Sequence, residues 1–97
     1  MATNTEMQIL DKLWRTEDAL TGREIIEKCE DRTWESSYIH ICLGSLLKKN
    51  LIRIETFKQA TKNYARAFRP VFTREEYFMM IARNGKVDWR ELLLRIL

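Results

Sequence analysis

Residues 34–54, WESSYIHICLGSLLKKNLIRI, place an apolar stripe, a glycine and two lysines in one run and then change to alternating branched residues. Stepping 100° per residue from Ile39 brings Cys42, Leu43, Leu46 and Leu47 within about 80° of it, so a helix from about Ser36 or Ser37 to Lys49 has one core face. Its opposite face carries Ser37, Ile41, Gly44, Ser45 and Lys48, with Tyr38 and His40 on the flanks. Gly44 weakens such a helix by about 1 kcal/mol relative to alanine. Close approach of another molecule's atoms to the backbone is one reason for it, and tight packing between helices is the plainer one. Asn50 has the chemistry of a helix C-cap, and beyond it the period changes. Leu51 to Phe57 and Tyr64 to Pro70 are rich in branched and aromatic residues around the polar stretch Lys58 to Asn63, which predicts a hairpin with Pro70 at a strand end or edge.

Upstream and downstream of this stretch, helix starts are marked by capping chemistry. Thr5-x-x-Gln8, Thr21-x-x-Glu24, Thr73-x-x-Glu76 and Asp88-x-x-Glu91 each set a capping side chain three residues before a Glu or Gln. Leu20 with Ile25, and Val87 with Leu92, have the spacing of hydrophobic staples. The predicted helices are 5–16, 22–31, 36–49, 74–84 and 89–97, with a break at Asn84-Gly85. Met7, Leu10, Leu13 and Trp14 form the inward stripe of the first, and Ile25, Ile26 and Cys29 that of the second. Trp34 reads as a plug at the junction between helices rather than a platform for a ligand.

The net charge of +3 hides an asymmetry. Residues 1–35 carry five Lys/Arg against nine Asp/Glu. Residues 36–74 carry eight, Lys48, Lys49, Arg53, Lys58, Lys62, Arg66, Arg69 and Arg74, against Glu55 alone. Positive charge confined to a helix end and the hairpin after it is the footprint expected for phosphate contacts.

Several functions are excluded on composition. At 97 residues the chain is one domain's worth, with little room for an elaborate active site. There is no nucleophile paired with a base and no phosphate-cradling glycine loop, and Glu75-Glu76 is explained by helix capping, so an enzyme is not expected. Cys29 and Cys42 sit among apolar residues at helical spacing and read as reduced core residues; with His40 the only histidine, neither a metal site nor a cofactor is expected. No apolar run is long enough for a bilayer span and the start lacks a signal-peptide pattern, which predicts a soluble, cytoplasmic chain with no membrane partner.

Three helices followed by a hairpin is the order of a winged helix-turn-helix, a mainly α fold with a β wing. The expected division is a DNA-binding domain over 1–72 and a helical dimerisation segment over 73–97. With helix 36–49 in a major groove, Ser37, Tyr38, His40, Ile41 and Ser45 meet base edges, Ile41 against a thymine methyl, while Lys48, Lys49, Arg53, Lys58, Lys62 and Arg66 hold phosphates. Tyr77, Phe78, Ile81, Trp89, Leu92, Leu93 and Ile96 are more apolar than a domain edge requires. A subunit interface is favoured for them over packing on their own domain, because the chain has little core left to receive them.

The stretch from Glu6 to Tyr77 resembles the penicillinase-repressor family of bacterial winged-helix regulators, whose members control β-lactamase, methicillin-resistance and copper-homeostasis genes. The matching residues are MQILDKLW ending at Trp14, TGREIIEKCE, Thr33-Trp34, the I-x-x-x-L-x-x-L-x-K-K run from Ile39 to Lys49, and YARAFRP running into EEY. The resemblance implies a homodimeric transcriptional repressor that binds a palindromic operator in double-stranded DNA through helix 36–49 and wing 51–70. The chain departs from such relatives at Ser36, Ser37, Tyr38, Ile41 and Ser45, where a Ser-Pro or similar entry, then Lys/Thr-type contacts and an arginine, are usual, and at Asn50, where glycine is common. The outward face thus lacks the bidentate arginine that most often reads guanine. No cysteine follows Cys42, unlike in copper-sensing relatives, and neither the inducing signal nor a sensor or protease partner can be assigned. The alternative function is a winged-helix protein-interaction module without sequence-specific DNA binding, with Tyr38, Ile41 and Phe57 as its partner patch.

Overall fold

The computed structural model of the chain describes residues 1–83. The expected helix 89–97, its capping box and staple, and the break at Asn84-Gly85 lie outside the described residues. In chain order the elements are α1 (Asn4–Arg15), β1 (Leu20–Thr21), α2 (Gly22–Lys28), a single 3-10 turn (Ser36–Tyr38), α3 (Ile39–Lys48), β2 (Ile52–Gln59), β3 (Tyr64–Pro70) and α4 (Arg74–Arg83). Three helices and then a hairpin give the winged helix that the sequence predicts.

Capping boxes start three of the helices. Thr21 and Glu24 exchange bonds of 2.9 and 3.2 Å at α2, and Thr73 and Glu76 bonds of 2.8 and 3.1 Å at α4. At α1 the box is Thr3–Glu6, two residues before the Thr5–Gln8 pair expected: the Thr3 amide donates to Glu6 Oε1 at 2.8 Å and the Glu6 amide donates to Thr3 Oγ1 at 3.2 Å. The earlier start has a physical reason. Glu6 is a carboxylate where Gln8 is an amide, so only Glu6 can also draw in a cation, and Lys49 Nζ of α3 reaches the same oxygen at 2.7 Å.

α2 stops at Lys28, three residues short of expectation, because Cys29 leaves helical geometry with ψ at 60°. The chain beyond is held by Arg32, which donates to the carbonyls of Ile26 and Cys29, and by Trp34, whose indole N–H donates to Gln8 Oε1 at 2.8 Å under the Arg32 guanidinium. Trp34 does plug the junction. α3 ends in a Schellman motif: Asn50 adopts the left-handed conformation at φ 59°, its amide donates to the Leu47 carbonyl, and the Leu51 amide donates to that of Leu46. Leu46 and Leu51 are both buried in one core with Ile9, Leu13, Ile25 and Ile39. That motif turns the chain straight from α3 into the wing.

The sheet has the order β1-β3-β2 and is antiparallel throughout. β1 is not anticipated by the sequence reading, because two residues are too short to show a period. It pairs Leu20 with Phe68 and Thr21 with Ala67, which makes β3 the central strand. Pro70 is tolerated there because it stands at the strand end, beyond the reach of β1.

Trp14 joins α4 to this body. Its indole N–H donates to the Phe72 carbonyl at 2.8 Å, the rings of Tyr77 and Phe78 lie 5.7 and 6.4 Å away, and the Arg74 guanidinium sits over it at 5.4 Å while bonding Asp11. Tyr77, Phe78 and Ile81 are therefore buried within their own chain, at 3, 8 and 8% exposure. For these three the structure shows packing on their own domain, the plainer of the two readings that the sequence offers, because α4 covers the side of α1 that carries Trp14. Trp89, Leu92, Leu93 and Ile96 lie outside the described residues. Trp14→Ala is expected to cost about 3 kcal/mol in urea unfolding, and Trp14→Phe, which loses the bond to Phe72, about 1 kcal/mol. A Trp14→Ala loss well under the Trp14→Phe figure would contradict the role given to this residue.

Candidate nucleic-acid interface

The outward face of α3 and the preceding turn is open. Ile41 is 64% and Tyr38 42% exposed, and Ser37, His40, Gly44 and Lys48 are exposed with them. A Cβ built on Gly44 meets nothing within 4 Å among the described residues, so tight packing between the described helices is not the reason for that glycine. Gly22 differs, because a Cβ there would meet Leu43 Cδ1 at 3.4 Å, in van der Waals contact with α3.

Ser45 and Lys49 behave differently from the rest of this face. Both lie on the flank turned to α1, beside Glu6, which is only 3% exposed. Burial pushes the Glu6 carboxyl up, but the Lys49 ammonium, the Ser45 hydroxyl and the Thr3 amide outweigh it, and the net shift is downward. Lys49 also donates to the Met1 carbonyl at 2.8 Å. These two expected DNA contacts are thus engaged in fixing α3 against α1.

The wing sorts its cations in the same way. β2 and β3 pair from Ile52–Pro70 to Gln59–Tyr64, with an irregularity between Ile54 and Thr56 where Arg53 and Glu55 form an exposed ion pair at 2.7 Å. Because the strands run to Gln59 and from Tyr64, the tip is only residues 60–63, closed by the Ala60 amide donating to the Asn63 carbonyl. Lys58 reaches back to Glu24 at 3.0 and 3.3 Å. The Thr21 amide is the main cause holding the Glu24 carboxyl below its ordinary range; burial opposes it and Lys58 adds to it. Arg69 donates to the carbonyls of Leu13, Thr16 and Asp18, satisfying the end of α1, and Arg74 is held by Asp11. Of the eight cations in residues 36–74, Lys48, Lys62, Arg66 and Arg69 form no ion pair among the described residues, and of these four Arg69 is held by backbone carbonyls.

A groove of about 1000 Å³ runs between the start of α2, the outward face of α3 and the wing. His40 and Gly44 line one wall, Lys62 and Arg66 the other, and the Lys58–Glu24 pair spans it. Arg23 stands at its rim, exposed and without an ion pair among the described residues. Sequence reading missed Arg23, although a signal existed: it occupies the first turn of a capped helix, where the macrodipole disfavours a cation. The wing also exposes Phe57 and Tyr64, at 60 and 70%.

This arrangement suits a polyanion with readable edges. Ser37, Tyr38 and His40 supply hydrogen-bonding groups, Ile41 an apolar surface, and the cations stand around them. Cys29 and Cys42 are free and buried, burial pushing both thiols up and leaving them protonated core residues as expected. No group of three metal-ligating side chains occurs among the described residues, and no helix among them is long and apolar enough to cross a membrane.

A winged helix presenting one helix face beside a basic hairpin is the anatomy of DNA-binding regulators. The model of the penicillinase repressor family matches residues 2–94, and the chain belongs to that family. It is accordingly a DNA-binding transcriptional regulator, of a family that consists of regulators rather than enzymes. Among solved structures the chain is similar to the ferric uptake regulator Fur of Helicobacter pylori, described with three functional metal-binding sites, at 14% identity and a TM-score of 0.54 over 87% of this chain and 70% of that one. That likeness is one of fold. No match is found among curated proteins.

The two lowered carboxyls set a pH dependence. Groups held below the ordinary 4.5 contribute stability that is present above that value and lost as the pH falls through the lowered ones. Glu6→Gln, which strands Lys49 in a site about two-thirds covered, is expected to cost about 2 kcal/mol at neutral pH and to flatten the acid-side fall in Tm. An unchanged acid profile would show that Glu6 is not the group responsible.

Proposed function

We propose that the protein is a homodimeric repressor that binds a palindromic operator, with α3 and its leading turn in the major groove and the wing over the phosphate backbone. The observation that carries this reading is the gathering of the exposed α3 face and of Arg23, Lys62 and Arg66, cations without ion-pair partners among the described residues, around one groove, with Lys48 beside them. Ser37, Tyr38, His40 and Ile41 are the base-edge set. Arg23, Lys48, Lys62 and Arg66 are the phosphate set. Lys58 and Arg53 join it only by exchanging Glu24 and Glu55 for phosphate, whereas Lys49 and Ser45 act indirectly by holding α3. The domain division follows function: residues 1–72 contact DNA, and 73–97 supply the subunit contact through the apolar sequence 89–97 and Met79, which α4 leaves 45% exposed. Two-fold symmetry then sets half-sites one helical turn apart, about 34 Å, or a multiple of it.

The exposure of Tyr38, Ile41 and Phe57 also supports the second reading, a protein-interaction module. The charge pattern separates the two. Four phosphate contacts per protomer, eight per dimer, give a slope of about −7 for the logarithm of affinity against the logarithm of salt concentration. The Lys62→Ala/Arg66→Ala variant removes four of the eight and is expected to bring the slope to about −4. A wild-type slope near −2, or a monomer by sedimentation at binding concentrations, rejects the dimeric repressor, and no duplex binding at low salt transfers the assignment to the interaction module.

A further inference from the structure

We propose that Gly44 and Ile41 together make a thymine contact, in which a notch over the Gly44 backbone receives the 5-methyl group of a thymine and the Ile41 side chain forms its apolar wall. The inference rests on the duplex-reading role given to α3 and names the base chemistry that its face selects.

Gly44 is a glycine that the fold of the described residues does not itself require. It lies in the middle of α3, where alanine would stabilise the helix, and a Cβ there meets nothing within 4 Å among the described residues. Its neighbours on the helix surface are His40 and Ile41 one turn before and Leu47 and Lys48 one turn after. The missing side chain therefore leaves a depression floored by backbone and lined on one side by Ile41, which at 64% exposure is the most exposed large apolar residue of the helix. Single exposed apolar residues are common and prove nothing alone. Here the exposed isoleucine adjoins a depression that also opens into the groove lined by His40, Lys62 and Arg66.

A phosphate or sugar gains nothing from an isoleucine. Of the groups a duplex presents in its major groove, the thymine 5-methyl is the apolar one, and it projects far enough to meet a helix that approaches closely. Lys48, one turn beyond Gly44, extends from the same face toward the backbone. The lack of arginine on this face is then consistent with a preference for A·T over G·C at the contacted step.

The test uses the full-length protein. The bound sequence is first selected from random duplex DNA, and each thymine of the motif is then replaced by deoxyuridine, which removes the methyl group and nothing else. At one position in each half-site the replacement is expected to weaken wild-type binding about fourfold, the effect of one buried methyl, and to leave Ile41→Ala unaffected. Gly44→Ala is expected to raise Tm, as helix propensity dictates, while weakening the selected site more than about tenfold and leaving random duplex within about twofold. A recovered motif in which no thymine replacement matters, or a Gly44→Ala protein that binds the selected site as wild type does, overturns the thymine contact and leaves the repressor reading standing. Recovery of no motif at all overturns both.

Discussion

Glu6 is the group on which the placement of α3 depends. One nearly buried carboxylate closes the N-cap of α1, accepts Lys49 from the end of α3 and lies beside Ser45 one turn earlier. Such a charge is costly to bury unless its lone pairs are satisfied, and here an amide and an ammonium satisfy them. The pair is directional, so α3 is fixed in rotation as well as position. The pair thus adds to the burial of Ile39, Cys42 and Leu46, which already turns Ser37, Ile41 and Lys48 outward.

The same device recurs at α2. Glu24 closes the Thr21 box and holds Lys58 of the wing, so the wing is tied to the body by the residue that starts the second helix. This pair is more than a third exposed on both sides, and a pair in that setting contributes at most about 1 kcal/mol. It can open for a phosphate at small cost, whereas the Glu6–Lys49 pair cannot. The two lysines thus divide between adjustable and permanent roles although they sit in one basic segment.

Trp14 connects these parts to α4, the helix after the wing. Its indole, between the α1 carboxylate Asp11 with its Arg74 partner and the rings of Tyr77 and Phe78, makes α4 continuous with the winged-helix core. α1 is thus one link between α4 and α3, since it carries both Trp14 and Glu6.

The fold was legible because its signals are local. Capping boxes at Thr21 and Thr73, the 3.6-residue stripe from Ile39 to Leu46, the change of period after Asn50 and the strand-end Pro70 each rest on residues within one or two turns of one another, where sequence spacing translates directly into contact. The outward face of α3 was legible for the same reason, as was the burial of Cys29 and Cys42. Which charges remain available was a matter of packing, because an ion pair such as Glu6–Lys49 or Glu24–Lys58 joins residues 43 and 34 positions apart that no periodicity relates. Packing also creates the two-residue strand at Leu20, which exists only because β3 lies beside it. It assigns Tyr77 and Phe78 to the core as well, since a hydrophobic stripe states that a face must be covered but not by what. Local spacing was therefore enough for the winged helix and the exposed face of α3; the seating of α1 against α3 and α4 determined which of the basic and apolar residues on that face and its flanks can be offered to a partner.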